Sequence, residues 1–107
     1  VVLVAAAGNN GVDQPTAPAG CTGVISVASV DLQRERVPYS NFGVGPSVDV
    51  SAPGGDLRTD LNGDGFADGV FSTYSALQGS TYFSTFKSEQ GTSMAAPHVS
   101  GVIALMK

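Results

Sequence analysis

What this chain has little of narrows its function early. Its one cysteine, Cys21, rules out a disulfide within the chain. Its one histidine, His98, leaves a single imidazole for any acid–base chemistry. Five Lys and Arg against nine Asp and Glu give a formal net charge of −4, which offers no electrostatic footprint for nucleic acid or an anionic membrane. Neither is expected as a partner. The longest apolar run, Val1 to Ala7, is far shorter than a membrane span. Charged residues make up only 13% and hydrophobic ones 42%, the composition of one packed globular unit rather than a disordered chain.

Two apolar segments at opposite ends carry the chemistry. Near the C-terminus, Gly91-Thr92-Ser93-Met94-Ala95-Ala96-Pro97-His98 runs into Val99, Val102, Ile103, Ala104, Leu105 and Met106. The glycine permits a sharp turn, and the absence of a wide polar face predicts a helix buried on most sides. Ser93 then stands at a helix N-terminus, where unpaired N–H groups and about half a unit of positive charge favour a developing anion. Pro97 is out of place beyond the first turn, because it removes a backbone hydrogen bond. As an isolated feature, the serine is equally well read as an N-cap.

At the other end, Val1-Val2-Leu3-Val4-Ala5-Ala6-Ala7 predicts a short buried strand ending at Gly8-Asn9. Asn9 is a turn former, but its side-chain NH2 at a strand end can also donate to the oxygen of a tetrahedral acyl intermediate. Val24 to Val30 predicts a second strand, reached through a Gly-, Pro- and Thr-rich loop over Asn10 to Gly23. Val48 to Gly55 predicts another short buried strand closed by Pro53 and Gly54. Between these strands, Asp31 to Pro38 reads as a solvated turn with offsetting charges.

In this order, VVLVAAAGNNG, GVISVASVD, YSNFG, VDVSAPGG and GTSMAAPHVSGVIALM resemble the subtilisin-like serine proteases, or subtilases, along nearly the whole chain. The resemblance implies an α/β fold, a fragment of a doubly wound, mostly parallel sheet with a buried C-terminal helix bearing the nucleophile. It implies serine endopeptidase activity on peptide or protein substrates through an acyl-enzyme, with Ser93 as nucleophile and Asn9 as side-chain donor to the oxyanion. It places Ala6, Ala7, Gly8, Thr16 and Ala17 along the substrate pocket. It also implies a secreted, extracellular protein, in which Cys21 either pairs with a cysteine elsewhere or stays a buried thiol. A non-catalytic calcium-binding or pseudoprotease module and an esterase remain as alternatives.

Members of this family order their triad Asp, His, Ser, and only the Ser portion matches here. His98 follows Ser93 by roughly 140° around a helix, at about 100° per residue, so it is not placed to act as the general base. Residues 1–107 therefore read as the C-terminal segment of one catalytic domain, whose partner is the N-terminal part carrying the Asp and His.

The segment Asp60 to Val70 departs from the simplest pattern of the family. Asp60, Asn62, Asp64 and Asp68, with the Phe66 carbonyl and Gly65, follow the first part of an EF-hand-type loop and predict a structural calcium site. Phe71 stands where the closing bidentate glutamate belongs, so another ligand such as Asp56 or water would be needed. An exposed turn tip explains the same residues without a metal.

The chain by itself is expected not to react with a fluorophosphonate probe, because a serine without a base is a poor nucleophile at neutral pH. The longer protein carrying the Asp and His is expected to react. Stoichiometric labelling of Ser93 in the isolated chain would contradict this.

Overall fold

A computed structural model describes residues 1–43 and 47–106. Strands β1 (Leu3–Ala6), β2 (Val24–Val30) and β3 (Val50–Pro53) form a parallel sheet in that order. The register pairs Leu3 with Val24 on one side of β2 and Val27 with Val50 on the other. Strands β4 (Val70–Gln78) and β5 (Thr81–Glu89) form a separate antiparallel hairpin, and helix α1 (Thr92–Leu105) follows it. No helix among the described residues is long and apolar enough to cross a membrane.

The central strand β2 supplies the core. Val27 and Ala52 are buried against Ala95 of α1, with Val4, Ile25, Ala96 and Val99 packed around them. Parallel strands need such a cover, and small residues on the first turns of α1 let it approach closely. Burying a side chain such as Val27 contributes about 1.5–3 kcal/mol relative to exposure. The helix continues through Pro97, which has no amide to bond the Ser93 carbonyl.

Several expectations are corrected. The helix is covered on one side only: Thr92 and Ala95 are its buried residues, whereas Val102, Leu105 and Met106 are 56%, 89% and 80% exposed. Three short strands are too narrow to cover its later turns. Among the described residues, a helix lies on only one face of the sheet, so the α/β order holds and the doubly wound arrangement is not represented. Strand β3 is mostly exposed, with Ala52 alone buried, because it lies at the edge. Cys21 is free and exposed, which removes the buried-thiol reading.

The hairpin was not expected. Gln78 pairs with Thr81 across Gly79-Ser80, a two-residue connection between runs rich in Phe, Tyr and Thr. Phe71 and Phe86 stack at 5.5 Å on its outer face, and its other end delivers the chain through Gln90 into Gly91.

Between β3 and the hairpin, the connection is pinned at Asp56. Its amide donates to the Asp68 carbonyl, and its buried carboxylate accepts from Arg58 N, Nε and Nη2 at 3.0, 2.9 and 2.8 Å. The side-chain hydrogen bonds from Arg58 hold the Asp56 carboxyl below its ordinary pKa. A depressed carboxylate pKa contributes stability that is complete above the unfolded-state value and is lost as pH falls through the folded-state value. Arg58→Ala is therefore expected to destabilise the intact protein at pH 7 and to do so much less at about pH 3, where Asp56 approaches neutrality. Urea unfolding of both proteins at the two pH values checks this; an equal gap at both would contradict it.

Candidate active site

Helix α1 begins at Gly91, whose φ of 145° is open to glycine and strained for other residues. Its amide donates to the Gly54 carbonyl at 2.9 Å, just beyond the end of β3. Its own carbonyl accepts from Met94 and Ala95 at 2.9 and 3.3 Å. The Thr92 amide donates to Asn9 Oδ1 at 2.9 Å. In this first turn the Ser93 amide has no hydrogen-bond partner among the described residues, and the Ser93 side chain is exposed. The cap position belongs to Gly91 and carries no side-chain cap, so the N-cap reading of Ser93 falls.

Asn9 stands just past β1. Its Oδ1 accepts both the Thr92 amide and the Thr92 hydroxyl, each at 2.9 Å. Thr92 Oγ1 in turn accepts from the Gly8 amide at 3.1 Å. An amide oxygen that receives a backbone N–H cannot be exchanged for the NH2 group, so the carboxamide has one orientation and Nδ2 remains to donate elsewhere. Nδ2 and the free Ser93 amide converge on one place: a Cβ on Gly91 would lie 3.5 Å from Asn9 Nδ2 and 3.7 Å from Ser93 N. Two N–H donors beside an exposed hydroxyl at a helix N-terminus suit an oxygen that gains negative charge.

Of the expected pocket residues, Ala7 is buried and hydrogen-bonded to β2 through its amide, 2.9 Å from the Val27 carbonyl. Thr16 is folded back onto it, with its amide and Oγ1 donating to the Ala7 carbonyl at 2.8 and 3.2 Å. Thr16 thus joins Ala6, Ala7 and Gly8 at one strand end. Ala17 follows in an exposed turn.

His98 is not joined to Ser93. Its Nδ1 lies 2.7 Å from the Met94 carbonyl one helical turn back, and no side chain among the described residues hydrogen-bonds to Ser93 Oγ. Ser93 and His98 share only the wall of an open cleft of about 580 Å3, with Tyr74, Glu89, Met94 and Pro97.

The acidic loop is ordered by its own carboxylates. Asp60 accepts from the amides of Gly63, Asp64 and Gly65 at 2.8, 3.1 and 3.0 Å. Asp64 accepts from the Phe66 amide and Asn62 Nδ2, and Asp68 turns back to Leu61 N and Thr59 Oγ1. No three carboxylate, imidazole or thiolate groups gather as a metal cluster among the described residues. Asp56, considered above as an extra ligand, is engaged by Arg58 and is not spare.

The order of these segments and their meeting at Gly91 are mirrored in known proteins. Residues 1–107 match the subtilase family, peptidase S8, along their full length. The chain belongs to the subtilase family. This subtilase chain is 39% identical over 106 residues to the extracellular protease of Xanthomonas campestris pv. campestris, covering 98% of this chain and 16% of that protein. It is 39% identical over 107 residues to the thermostable alkaline protease of Halalkalibacterium halodurans, covering all of this chain and 24% of that protein. It therefore spans a quarter or less of either relative. Among solved structures, a lanthipeptide protease superposes with a TM-score of 0.74 at 28% identity, over 94% of this chain and 34% of its own. The prenylagaramide maturation protease PagA superposes with a TM-score of 0.68 at 30% identity, over 99% and 32%.

Residue reasoning missed Thr92, which orients Asn9, and Asn41, which is wholly buried against the Asn9 turn. A hydroxyl beside the candidate nucleophile was the only available signal for the first. Nothing in the linear pattern marked the second.

Proposed function

We propose that the protein carrying this chain is a serine endopeptidase that cleaves peptide or protein substrates through an acyl-enzyme. Ser93 Oγ attacks the carbonyl carbon, and the carbonyl oxygen, as it becomes an oxyanion, is held by the Ser93 amide and Asn9 Nδ2. The observation that carries this reading is the Thr92–Asn9 hydrogen-bond pair, which directs a fixed NH2 group to the free amide of Ser93. Preorganised donors of this kind lower the barrier because they need no reorientation as charge develops. The proton leaves Ser93 to a histidine oriented by an aspartate, both assigned to the N-terminal part of the same catalytic domain. His98 has neither the position nor a free Nδ1 for that task. Ala6, Ala7, Gly8, Thr16 and Ala17 line the approach of the substrate.

The remainder of the domain is assigned to complete the doubly wound sheet and to cover the exposed flank of α1. Two relatives are named as extracellular proteases, and the same location is proposed for this protein.

The loop from Asp60 to Asp68 is proposed to hold a structural calcium ion. Asp60, Asn62, Asp64 and the Phe66 carbonyl are the ligands, with Asp68 closing the set after turning from Leu61. Carboxylate oxygens that accept one N–H keep further lone-pair capacity for a hard cation. The ion stabilises the loop and takes no part in acyl transfer.

In the intact protease, Ser93→Ala should abolish fluorophosphonate labelling. Asn9→Ala should lower kcat by about 10²–10³-fold with little change in KM, the loss known for an Asn donor in a subtilisin. Full turnover by either variant on a peptide substrate would overturn the assignment. For calcium, calorimetric titration of the intact protein should show binding that Asp64→Ala weakens, with a stability gain of about 2.7 kcal/mol at a hundredfold excess over Kd. Equal, negligible heats in both would leave the loop as a turn.

A further inference from the structure

The two halves of the site come from chain segments more than eighty residues apart, yet both are tied to one tripeptide, Tyr39-Ser40-Asn41. Asn41 is fully buried. Its Oδ1 accepts from the Asn10 and Val12 amides at 2.8 and 3.3 Å, and its Nδ2 donates to the Ala7 carbonyl at 3.2 Å. Its backbone amide donates to the Gly8 carbonyl at 2.9 Å. Asn9 is thereby held from the residues on both sides of it. Contact is close enough that a Cβ on Gly8, where φ is 112°, would lie 2.5 Å from Asn41 Nδ2.

Tyr39 acts on the other half. Its hydroxyl lies 2.6 Å from the Gly55 carbonyl, 3.1 Å from the Gly54 carbonyl and 2.7 Å from Ser29 Oγ. Gly54 is the residue whose carbonyl receives the Gly91 amide at the start of α1. Between them, Ser40 Oγ accepts from the Ser29 amide at 2.8 Å and donates to the Asn41 carbonyl at 3.0 Å, which anchors the tripeptide on β2.

We propose that Tyr39 and Asn41 are positioning residues for catalysis: Asn41 sets the Asn9 turn that supplies the oxyanion donor, and Tyr39 sets the Gly54–Gly91 contact that starts the nucleophile helix. The proposal rests on the assignment of Ser93 and Asn9 above. A buried carboxamide with both its donor and its acceptor engaged on one turn does more than fill space, because each bond fixes the direction of a peptide unit. A small misplacement of a group aimed at the transition state lowers kcat and leaves ground-state binding nearly unchanged.

A double-mutant cycle in the intact protease, with kcat and KM measured on a peptide substrate, tests this. Asn41→Ser is expected to lower kcat by about ten- to a hundredfold at nearly constant KM. In an Asn9→Ala background the same change is expected to cost under about twofold more, since the group it positions is gone. Tyr39→Phe is expected to lower kcat about fivefold and to do so fully in both backgrounds, because it acts through Gly91. Equal losses from Asn41→Ser with and without Asn9, or a change in melting temperature or KM alone, would overturn the role of Asn41. If Asn41→Ser does not fold by circular dichroism, Tyr39→Phe, which removes one hydroxyl, decides the proposal, and unchanged kcat overturns it. A wild-type protein that neither cleaves peptide nor labels at Ser93 would instead refute the underlying assignment, and the proposal with it.

Discussion

Thr92 hydrogen-bonded to Asn9 is the contact on which the site depends. It joins the end of the first strand to the start of the final helix, across most of the chain, using an amide, a hydroxyl and a carboxamide oxygen. Thr92 is fully buried, so these bonds are shielded from competing water. One side chain thereby closes the first helical turn, orients the Asn9 NH2 group and, through the Gly8 amide, fixes the strand end.

The sheet makes that contact possible. Parallel pairing of β1 with β2 and β2 with β3 brings the strand ends at Ala6 and Pro53 to one rim, the place where ligands bind in open α/β sheets. Gly8 and Gly54, just beyond those ends, each contact the first turn of α1: Gly8 through Thr92, Gly54 through Gly91. The packing of Ala95 on Val27 and Ala52 sets the helix at the depth where these bonds form. Core packing and site geometry are thus one construction.

Strand β2 was legible residue for residue, because a branched, apolar run between a glycine and an acidic turn has few other folds available. Ser93 and Asn9 were legible as candidates for a similar reason: each stands where an apolar element stops. The hairpin was not legible. Its strands carry Ser and Thr beside exposed Phe and Tyr, so no burial contrast marks either face. The helix was read as buried on most sides because its composition is apolar all round. Composition reports which surfaces can be buried, and only neighbouring elements determine which are.

By itself, the sequence determined the order of strands and helix, the family, and the residue types able to attack or to donate at each end of the chain. These are local properties, set by periodicity, turn chemistry and side-chain functional groups. Only the tertiary structure decided that Asn9 Nδ2, and not its oxygen, faces the Ser93 amide, that His98 is engaged with the Met94 carbonyl, and that Asn41 underlies the Asn9 turn. Those are matters of direction between groups remote in sequence, and direction arises only when hydrogen bonds and packing fix one segment against another.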